Sequence, residues 1–356
     1  MKEVRPCVTC GEGFEARNAA SKYCSTRCAR EAANAQRRLD KQPNRECQQC
    51  GETFQPNKTD QKCCSSACSH QMSNDSRYTA TPKDAQMEGL FRYYESGESI
   101  DVLDRPDGSR VLVMSDTQFP FVDEPLLEAV HTFAADYKAN DIIFAGDILD
   151  CYEISDFDKR PHRLFGLDDE IDMAVSMVDR LKRDSAKGAD VWWADGNHEA
   201  RMQRVLWKKA AGFESMVATL ADKMDLDNRV SGHVPYGKHI NFLGFTVTHG
   251  QFVSQHSAYT AKKHYDKYHS SGMNGHTHRA GSYSHTDMHQ RSHTWFEIGC
   301  LCRRDLDYVK GVANWQHAFL IGTVFNNALH PQLIRVIETD DGRGFFADGR
   351  YYPIYD

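Results

Sequence analysis

Two features are missing from this 356-residue sequence: long apolar stretches and an excess of positive charge. No run approaches the ~18 consecutive apolar residues of a membrane-spanning helix, and the first ten residues, MKEVRPCVTC, lack the apolar core of a secretory signal peptide. The 43 Lys and Arg residues against 50 Asp and Glu residues give a net charge of −7, which excludes a chain that is basic throughout and coats nucleic acid along its length. We therefore expect a cytoplasmic protein without a membrane segment.

Cysteine and histidine are present but unevenly distributed. Nine of the twelve cysteines lie between Cys7 and Cys68, whereas sixteen of the seventeen histidines lie at His131 or beyond. A chain of this length has room for two or three domains, at ~100–200 residues each. The distribution predicts a Cys-rich N-terminal part and a His-rich remainder with different metal chemistry.

The Cys-rich part is an internal repeat. Four cysteines recur 40 residues later, and in both copies they are separated by gaps of 2, 13 and 3 residues. Two close pairs of thiolates are the ligand set of a tetrahedral structural zinc site. A disulfide framework is the alternative, but it needs an oxidising compartment, which the sequence does not indicate. We predict two structural Zn²⁺ ions with two ligand sets: Cys7, Cys10, Cys24 and Cys28 in the first, and Cys47, Cys50, Cys64 and Cys68 in the second.

Each copy resembles a small treble-clef-like zinc module, in which the second pair of cysteines opens a helix. A unit of this size cannot fold on apolar burial alone, so metal binding would supply its folding free energy. Cys63 aligns with Tyr23 of the first copy, and we therefore expect Cys64 to be the ligand and Cys63 a spare thiol. The predicted boundaries are residues 1–40 and 41–78 for the modules, 79–108 for a polar linker and 109–356 for the second domain.

The modules have a local concentration of basic side chains. Residues 1–80 hold 13 Lys and Arg against 9 Asp and Glu, although the thiolates of two zinc sites would cancel this excess. Such a local patch suits contact with the phosphate backbone of DNA or RNA without sequence readout. A solvated helix face or a protein-docking surface is the alternative. The residues predicted to contact nucleic acid are Arg27, Arg30, Arg37 and Arg38.

The second domain alternates strands and helices. Residues 110–115, 141–145 and 191–194 are short apolar runs that predict buried strands, and the segments between them have apolar residues at helical spacing. This alternation predicts a largely parallel sheet with helices on its faces. Each of the three runs is followed by Asp or Asn, and polar residues at the carboxyl ends of such strands converge on a ligand site.

The polar blocks of this domain read, in order, D-T-Q at Asp116, G-D-x-x-D at Asp147, G-N-H-E at Asn197, H-G at His249 and G-H-x-H at His276. The ordered set resembles the calcineurin-like metallophosphoesterase family, whose pattern is D-x-H, GD-x-x-D, GNH[ED], H and GH-x-H. Four of the five blocks match, over roughly residues 110–300. The resemblance implies an α/β/β/α sandwich of two mixed sheets and hydrolysis of phosphate esters by a two-metal-activated hydroxide, without a covalent enzyme intermediate.

The resemblance also implies roles for individual residues. Asp147 would bridge two divalent metal ions, which the oxygen and imidazole ligands suggest are Mn, Fe or Zn. His198 would stabilise the transition state or protonate the leaving oxygen, and Asp150 would orient it through a hydrogen bond. The other implied ligands are Asp116 and His278 for the first metal, and Asn197, His249 and His276 for the second.

Gln118 is the one departure from the family pattern, because it stands where the family has a ligand histidine. Its amide oxygen can coordinate a metal more weakly than imidazole does. In the alternative, Gln118 contacts water and the first metal is loosely held. Cys151, Cys300 and Cys302 lack the spacing of ligands, and we expect them to be buried as small apolar residues.

The substrate is less defined than the chemistry. Arg160, Arg163 and Arg201 are candidates for binding an anionic substrate, with a solvated loop or structural pairing as the alternative. A nuclease or an end-processing phosphatase for nucleic acid is our first hypothesis. A protein or small-molecule phosphatase, with modules used for protein contacts, is the second, and a non-catalytic binding protein is the third. Four-cysteine modules ahead of this pattern also resemble tailed-bacteriophage proteins, which would place the chain in the host cytoplasm.

Overall fold

The computed structural model describes residues 4–39 except 17 and 19, residues 44–56, 61–65 and 68, and residues 99–155, 165–306, 309 and 311–355. The chain divides into two compact units, Met1–Gly89 and Leu90–Asp356. Among the described residues, no helix is both long and apolar enough to cross a membrane.

The N-terminal unit repeats in structure as it does in sequence. Strand β1 (Val4–Pro6) pairs antiparallel with β2 (Gly13–Glu15), and helix α1 (Thr26–Leu39) follows. Strands β3 (Arg45–Glu46) and β4 (Thr53–Phe54) form the equivalent hairpin of the second copy. Because the strands are only two or three residues long, they cannot enclose an apolar core of useful size.

The first sheet of the larger unit has six strands. In spatial order the strands are β16 (Ala328–Arg335), β15 (Ala318–Phe325), β6 (Arg110–Met114), β7 (Asp141–Ala145), β8 (Asp190–Ala194) and β9 (Gly232–Val234). Strands β6 to β9 run parallel to one another, whereas β15 pairs antiparallel with both β6 and β16.

The second sheet also has six strands and is mixed. In spatial order they are β13 (Ala280–Thr286), β14 (Ser292–Ile298), β12 (Ser271–Asn274), β11 (Phe245–Thr248), β10 (Ile240–Phe242) and β5 (Ile100–Val102). A small third sheet contains β17 (Ile337–Thr339), β18 (Gly342–Ala347) and β19 (Arg350–Ile354).

Strand β5 differs from our prediction, because it lies in the segment assigned to the linker. It pairs parallel with β10 and forms an edge of the second sheet. Only Val102 of its three residues is buried. A strand this short, with an aspartate at its centre, gives no apolar run for sequence analysis to detect.

The helices of the larger unit connect the strands. Asp123 caps the first of them, since its side chain accepts a hydrogen bond from the backbone N–H of Leu126. The helices are α2 (Glu124–Tyr137), α3 (Leu167–Asp184), α4 (Ala200–Ala210), α5 (Leu220–Lys223), α6 (Leu226–Arg229) and α7 (Tyr259–Tyr268).

Alternating side chains divide the molecule into layers. On β6, Leu112 packs into a core shared with α2 and α3, whereas the next residue, Val113, packs into the core between the two sheets. On the outer face of the second sheet, Trp295 packs against Tyr265 of α7. The order of layers is therefore helix, sheet, sheet, helix, and the predicted α/β/β/α sandwich is confirmed.

Candidate metal centre

The predicted ligands lie in the loops that follow strands of both sheets. Asp116 follows β6, Asp147 follows β7, and His276 follows β12. All three have φ in the left-handed region, at 53°, 51° and 70°, as have Gln118 at 50° and His278 at 55°. Residues other than glycine rarely adopt this conformation. Those that do are concentrated at functional sites, where the surrounding structure holds them in place.

His249 is the centre of one cluster of metal-binding atoms. Its Nδ1 lies 2.9 Å from the carbonyl oxygen of Ala145, to which it donates. In a neutral ring the lone pair of Nε2 then faces two other acceptors, Asp147 Oδ2 and Asn197 Oδ1, each 3.1 Å away. Ligand atoms of Asp147, His249 and His276 all lie within 4.8 Å of one another. Once Nε2 has lost its proton, these converging acceptors fit a cation between them.

The ionisable groups of this cluster shift one another's pKa values. Burial works against a charged His249 ring, but the Asp147 carboxylate outweighs it and raises the pKa of His249 to about 9. Conversely, His198 and His249 overcome burial and lower the pKa of Asp147 far below its usual range. Burial and then the neighbouring His249 lower the pKa of His276 to about 4. A carboxylate that stays ionised beside a neutral imidazole is the donor set a divalent metal requires.

A second cluster contains Asp116, Gln118 and His278. His278 Nε2 lies 3.1 Å from Asp116 Oδ1 and 3.1 Å from Gln118 Nε2. Although it lies this close to His278, the buried Asp116 Oδ1 accepts no hydrogen bond of good geometry from the described residues. Against burial, the Asp116 carboxylate raises the pKa of His278 to about 9. The two ends of a glutamine amide are interchangeable by a flip, so the same position also presents the amide oxygen to a cation.

Ser115 orients Asp116 from behind. Its hydroxyl donates to Asp116 Oδ2 at 2.6 Å, and the backbone N–H of His276 donates to the same oxygen at 3.0 Å. Oδ2 of Asp116 is thus fixed by two hydrogen bonds, while Oδ1 faces His278. The two clusters therefore fit the two divalent cations that the sequence predicted, with Gln118 beside the first.

His198 lies beside these clusters, with Asp150 behind it. Its Nδ1 is 3.1 Å from Asp150 Oδ1, and its Nε2 is 3.5 Å from Asp147 Oδ2. The backbone N–H of His198 donates to Asp147 Oδ1 at 2.9 Å. Arg201 donates to the backbone oxygen of Asp150 and lies 3.7 Å from its carboxylate. His198 and Asp150 lie as close as a proton donor and its orienting group would, although their facing atoms lack hydrogen-bond geometry. Arg201 is engaged in the structural pairing considered as its alternative.

Glu199 has a role that sequence analysis missed. Its buried carboxylate accepts hydrogen bonds from four backbone N–H groups, those of Asp147, Ile148, Leu149 and Gly196, at 2.8 to 3.1 Å. It thereby ties the loop after β7 to the loop after β8. Burial, and then the Asp147 charge, raise the pKa of Glu199 to about 8. The only signal in the sequence was an acidic residue directly after the G-N-H block.

Two glycines of the polar blocks are required by close approach. A Cβ at Gly146, which has φ 89°, would lie 2.6 Å from the ring of His249. A Cβ at Gly196 would lie 2.0 Å from Oδ1 of Asp147. Neither contact is tolerable, so any side chain at these positions would displace a candidate ligand.

Cys300 and Cys302 are buried, as expected, but they are not remote from the site. Cys302 Sγ lies 3.7 Å from His278 Nδ1, the ring nitrogen turned away from Asp116. The thiols of Cys300 and Cys302 and the His278 ring lie within 4.8 Å of one another. Their proximity could not be read from the sequence, because it depends on the loop that follows β14.

The two four-cysteine clusters have nearly equal geometry. In the first, Cys24 Sγ lies 3.6 Å from both Cys10 Sγ and Cys28 Sγ, and in the second, Cys64 lies 3.6 Å from its two counterparts. These separations exclude disulfides, whose sulfurs are about 2.05 Å apart. They approach the ~3.8 Å edge of a tetrahedron with metal–sulfur bonds of about 2.3 Å.

Backbone groups favour a thiolate at one cysteine of each cluster, whereas the neighbouring thiols raise the pKa of Cys24 and Cys64 to about 12. The N–H of Cys24 donates to Cys7 Sγ at 3.4 Å and lowers the pKa of Cys7 to about 6. Against burial, the N–H of Cys64 lowers the pKa of Cys47 to about 6. Each cluster could therefore bind zinc, and Cys64 rather than Cys63 belongs to the second.

The predicted basic contacts are only partly covered by the structure. Arg27 and Arg30 are exposed on α1, and Arg27 pairs with Glu31 at 3.0 Å. The side chains of Arg37 and Arg38, and all of Arg160 and Arg163, lie outside the described residues.

The fold and the site together define a metal-dependent phosphoester hydrolase. The chain belongs to the calcineurin-like phosphoesterase family, whose model matches residues 109–312. It is similar to the Gene 54 protein of Mycobacterium phage D29, with 29% identity over 275 residues, which cover 69% of this chain and 99% of that protein. The Gene 54 protein of Mycobacterium phage L5 is 29% identical over 269 residues, with 69% and 99% coverage. The expected likeness to phage proteins is thus confirmed.

Among solved structures, the chain is similar to a double mutant of Vps29 from Entamoeba histolytica. The match covers 68% of this chain and 95% of the Vps29 chain, with a TM-score of 0.34 and 12% sequence identity.

Proposed function

We propose that this protein hydrolyses phosphoester bonds of nucleic acid, as a nuclease or an end-processing phosphatase. The observation that carries the proposal is a row of basic side chains on α4, which begins two residues after His198. Arg204 and Lys208 are four residues apart, so they share one face of the helix, while Arg201, one turn before Arg204 on that face, is paired with Asp150. Arg204 and Lys208 are about 6 Å apart along the helix axis, or about two nucleotide steps of a duplex strand.

Arg204 is connected to the metal centre through Tyr236. The Arg204 guanidinium lies over the ring of Tyr236, 5.4 Å from its centroid. The Tyr236 ring is in turn 6.3 Å from that of His249, a candidate metal ligand. Lys208 is exposed. When one phosphate of a nucleic-acid strand is bound at the metals, the adjacent phosphates of that strand would therefore lie within reach of these positive charges. A small monoester has no adjacent phosphates and does not need them.

The residues of the site fit the family's reaction. Divalent metals held by these ligands would polarise a phosphate oxygen and bring the pKa of water near 7. We assign to His198 the proton for the leaving oxygen, and to Asp150 the orientation of the His198 ring. Helix α4 begins two residues after His198, and its positive N-terminal end favours an anion there.

We assign structural Zn²⁺ to the two cysteine clusters and a binding role to the modules, with Arg27 and Arg30 contacting the phosphate backbone. Reduced thiols need a reducing compartment, which agrees with a site of action in a bacterial cytoplasm.

The test measures hydrolysis of end-labelled single- and double-stranded DNA and RNA by the full chain with Mn²⁺, beside p-nitrophenyl phosphate and bis-p-nitrophenyl phosphate. Arg204→Gln with Lys208→Ala should lower kcat/KM for the polymer about tenfold. It should also reduce the dependence of log kcat/KM on log salt by about one for each phosphate contact removed. The small esters should be hydrolysed at nearly the wild-type rate. Asp147→Asn is the control for contaminating activity.

Lys187→Ala is the matched charge control. Lys187 lies before β8, at the end of this parallel strand opposite to the metal loops, and its loss should not change the salt dependence. Turnover of small esters with no turnover of any polymer would overturn the proposal and favour a protein or small-molecule phosphatase. No turnover of any substrate with any metal would favour a non-catalytic binding protein.

A further inference from the structure

Resting on the proposed nucleic-acid substrate, we infer that Trp315 is a stacking platform for the nucleobase next to the scissile phosphate. The Trp315 ring lies against that of His278, with centroids 4.2 Å apart and planes at 64°. His278 presents its Nε2 to Asp116 and Gln118 in the first metal cluster. Trp315 is partly exposed, so part of this residue is open to solvent one ring away from a candidate metal ligand.

The backbone around Trp315 is fixed by its neighbours in sequence. The N–H of Gln316 donates to the backbone oxygen of His278 at 2.8 Å, and its carbonyl accepts from Cys300 at 3.1 Å. The Gln316 side chain accepts from the N–H of Ala280 at 3.1 Å. Stacking gains most from a ring that is already held in place, because less side-chain entropy is lost on binding.

The chemistry of a tryptophan here points to a base rather than to a phosphate. Indole offers a large π-face and no positive charge, and every nucleobase has a π-face of its own. The base of a nucleotide is separated from its phosphate by one sugar, which matches a platform beside the metal ligands. The basic row on α4 recognises backbone charge alone, so Trp315 would distinguish a nucleotide from other phosphate esters.

A cavity of about 580 Å³ is lined by His317, two residues after Trp315, and its charged lining residues are Arg303, Arg304, Asp123 and Asp305. Both arginines are exposed and pair with acidic neighbours, Arg303 with Asp305 at 2.8 Å and Arg304 with Glu338 at 2.7 Å. Exposed ion pairs contribute about 0–1 kcal/mol, so a phosphate can replace either carboxylate. The next nucleotide of the strand would occupy this cavity.

The experiment combines removal of the ring with removal of the base. kcat/KM is measured for wild type, Trp315→Ala and Trp315→Phe on an oligonucleotide and on the same oligonucleotide with an abasic residue on either side of the cleaved bond. We expect Trp315→Ala to lose about 10- to 100-fold on the intact substrate, and little on the abasic one. Trp315→Phe should retain most of the activity, and Mn²⁺ content should be unchanged in all three proteins.

The same loss on intact and abasic substrates, or a lower metal content in Trp315→Ala, would show that Trp315 only supports His278, and would overturn the inference. So would equal rates for all three proteins on the intact substrate. These failures are distinct from failure of the proposed function itself, in which wild type hydrolyses small esters but no oligonucleotide.

Discussion

The N-terminal modules and the larger domain both gather metal-binding side chains, but they differ in what holds those side chains in place. The module strands have two or three residues each. In the larger domain, side chains as large as Trp193, Phe133 and Phe144 are fully buried. In a module, therefore, the metal must stabilise the fold, whereas in the larger domain the fold stabilises the metal site.

This difference decides what a lost ligand does. Structural zinc contributes about 10–16 kcal/mol of apparent binding free energy in small zinc peptides, which is as large as the whole stability of an ordinary domain, about 5–15 kcal/mol. The candidate ligands of the larger domain are buried too, but they lie in loops that follow the strands, and separate clusters of apolar side chains form the cores. Losing one of these ligands should remove metal and activity but leave the domain folded.

The largest expected effect is in the second module, where adjacent cysteines provide a matched pair. Cys64→Ser should lower the zinc content of the full chain by one ion and unfold that module, because Cys64 belongs to the four-sulfur cluster. Cys63→Ala should keep the zinc, since Cys63 is outside the cluster. Zinc content by mass spectrometry and limited proteolysis measure the two outcomes.

Hydrolysis of a small phosphoester should be unchanged in both variants, because the larger domain has its own cores. Equal zinc loss in Cys63→Ala and Cys64→Ser would contradict the ligand assignment. Loss of the small-ester activity together with the zinc would contradict the independence of the two regions.

The next effect concerns Gln118. Histidine tolerates positive φ better than most residues, so Gln118→His can adopt the observed φ of 50° and add an imidazole beside His278. We expect the weaker Mn²⁺ affinity to rise about 100-fold, or ~2.7 kcal/mol. Gln118→Leu should lower it. Titration of metal-free protein by calorimetry, with the thermal transition as the control for folding, measures both.

Identical stoichiometry and affinity in the His, Gln and Leu forms would show that position 118 does not contact the metal, and that water or another group completes the first site.

Much of the site could be predicted because parallel strands carry it. Asp116 and Asp147 follow neighbouring strands of one sheet, so their order in sequence places them at one edge. Glu199 was missed because its role depends on hydrogen bonds from four backbone N–H groups, and a sequence does not show which backbone groups a side chain contacts. Trp315 was missed because it lies 37 residues after His278, and only the closure of the loop before β15 brings the rings together.

The smallest effect tests how far packing alone stabilises the larger domain. His131 lies on α2, is 4% exposed, and its Nδ1 has no hydrogen-bond partner among the described residues. Burial, and then Arg180, lower the pKa of His131 from 6.5 to about 4, although Glu128 and Asp184 oppose this. Between pH 6.5 and 4 the unfolded chain therefore binds a proton that the folded chain does not. Stability is present above pH 6.5 and is lost as pH falls through this interval.

His131→Leu removes this proton uptake and keeps an apolar side chain in the core. The measurement is the free energy of unfolding of the metal-free larger domain, determined in urea at pH 8 and at pH 5. From pH 8 to pH 5 this free energy should fall by about 1–2 kcal/mol less in the variant than in wild type. His289→Leu, at an exposed hairpin position, is the matched control. If His131→Leu and wild type lost the same free energy of unfolding between pH 8 and pH 5, His131 would be protonated in the folded domain. The core around α2 would then accept a charge that a well-packed apolar interior should exclude.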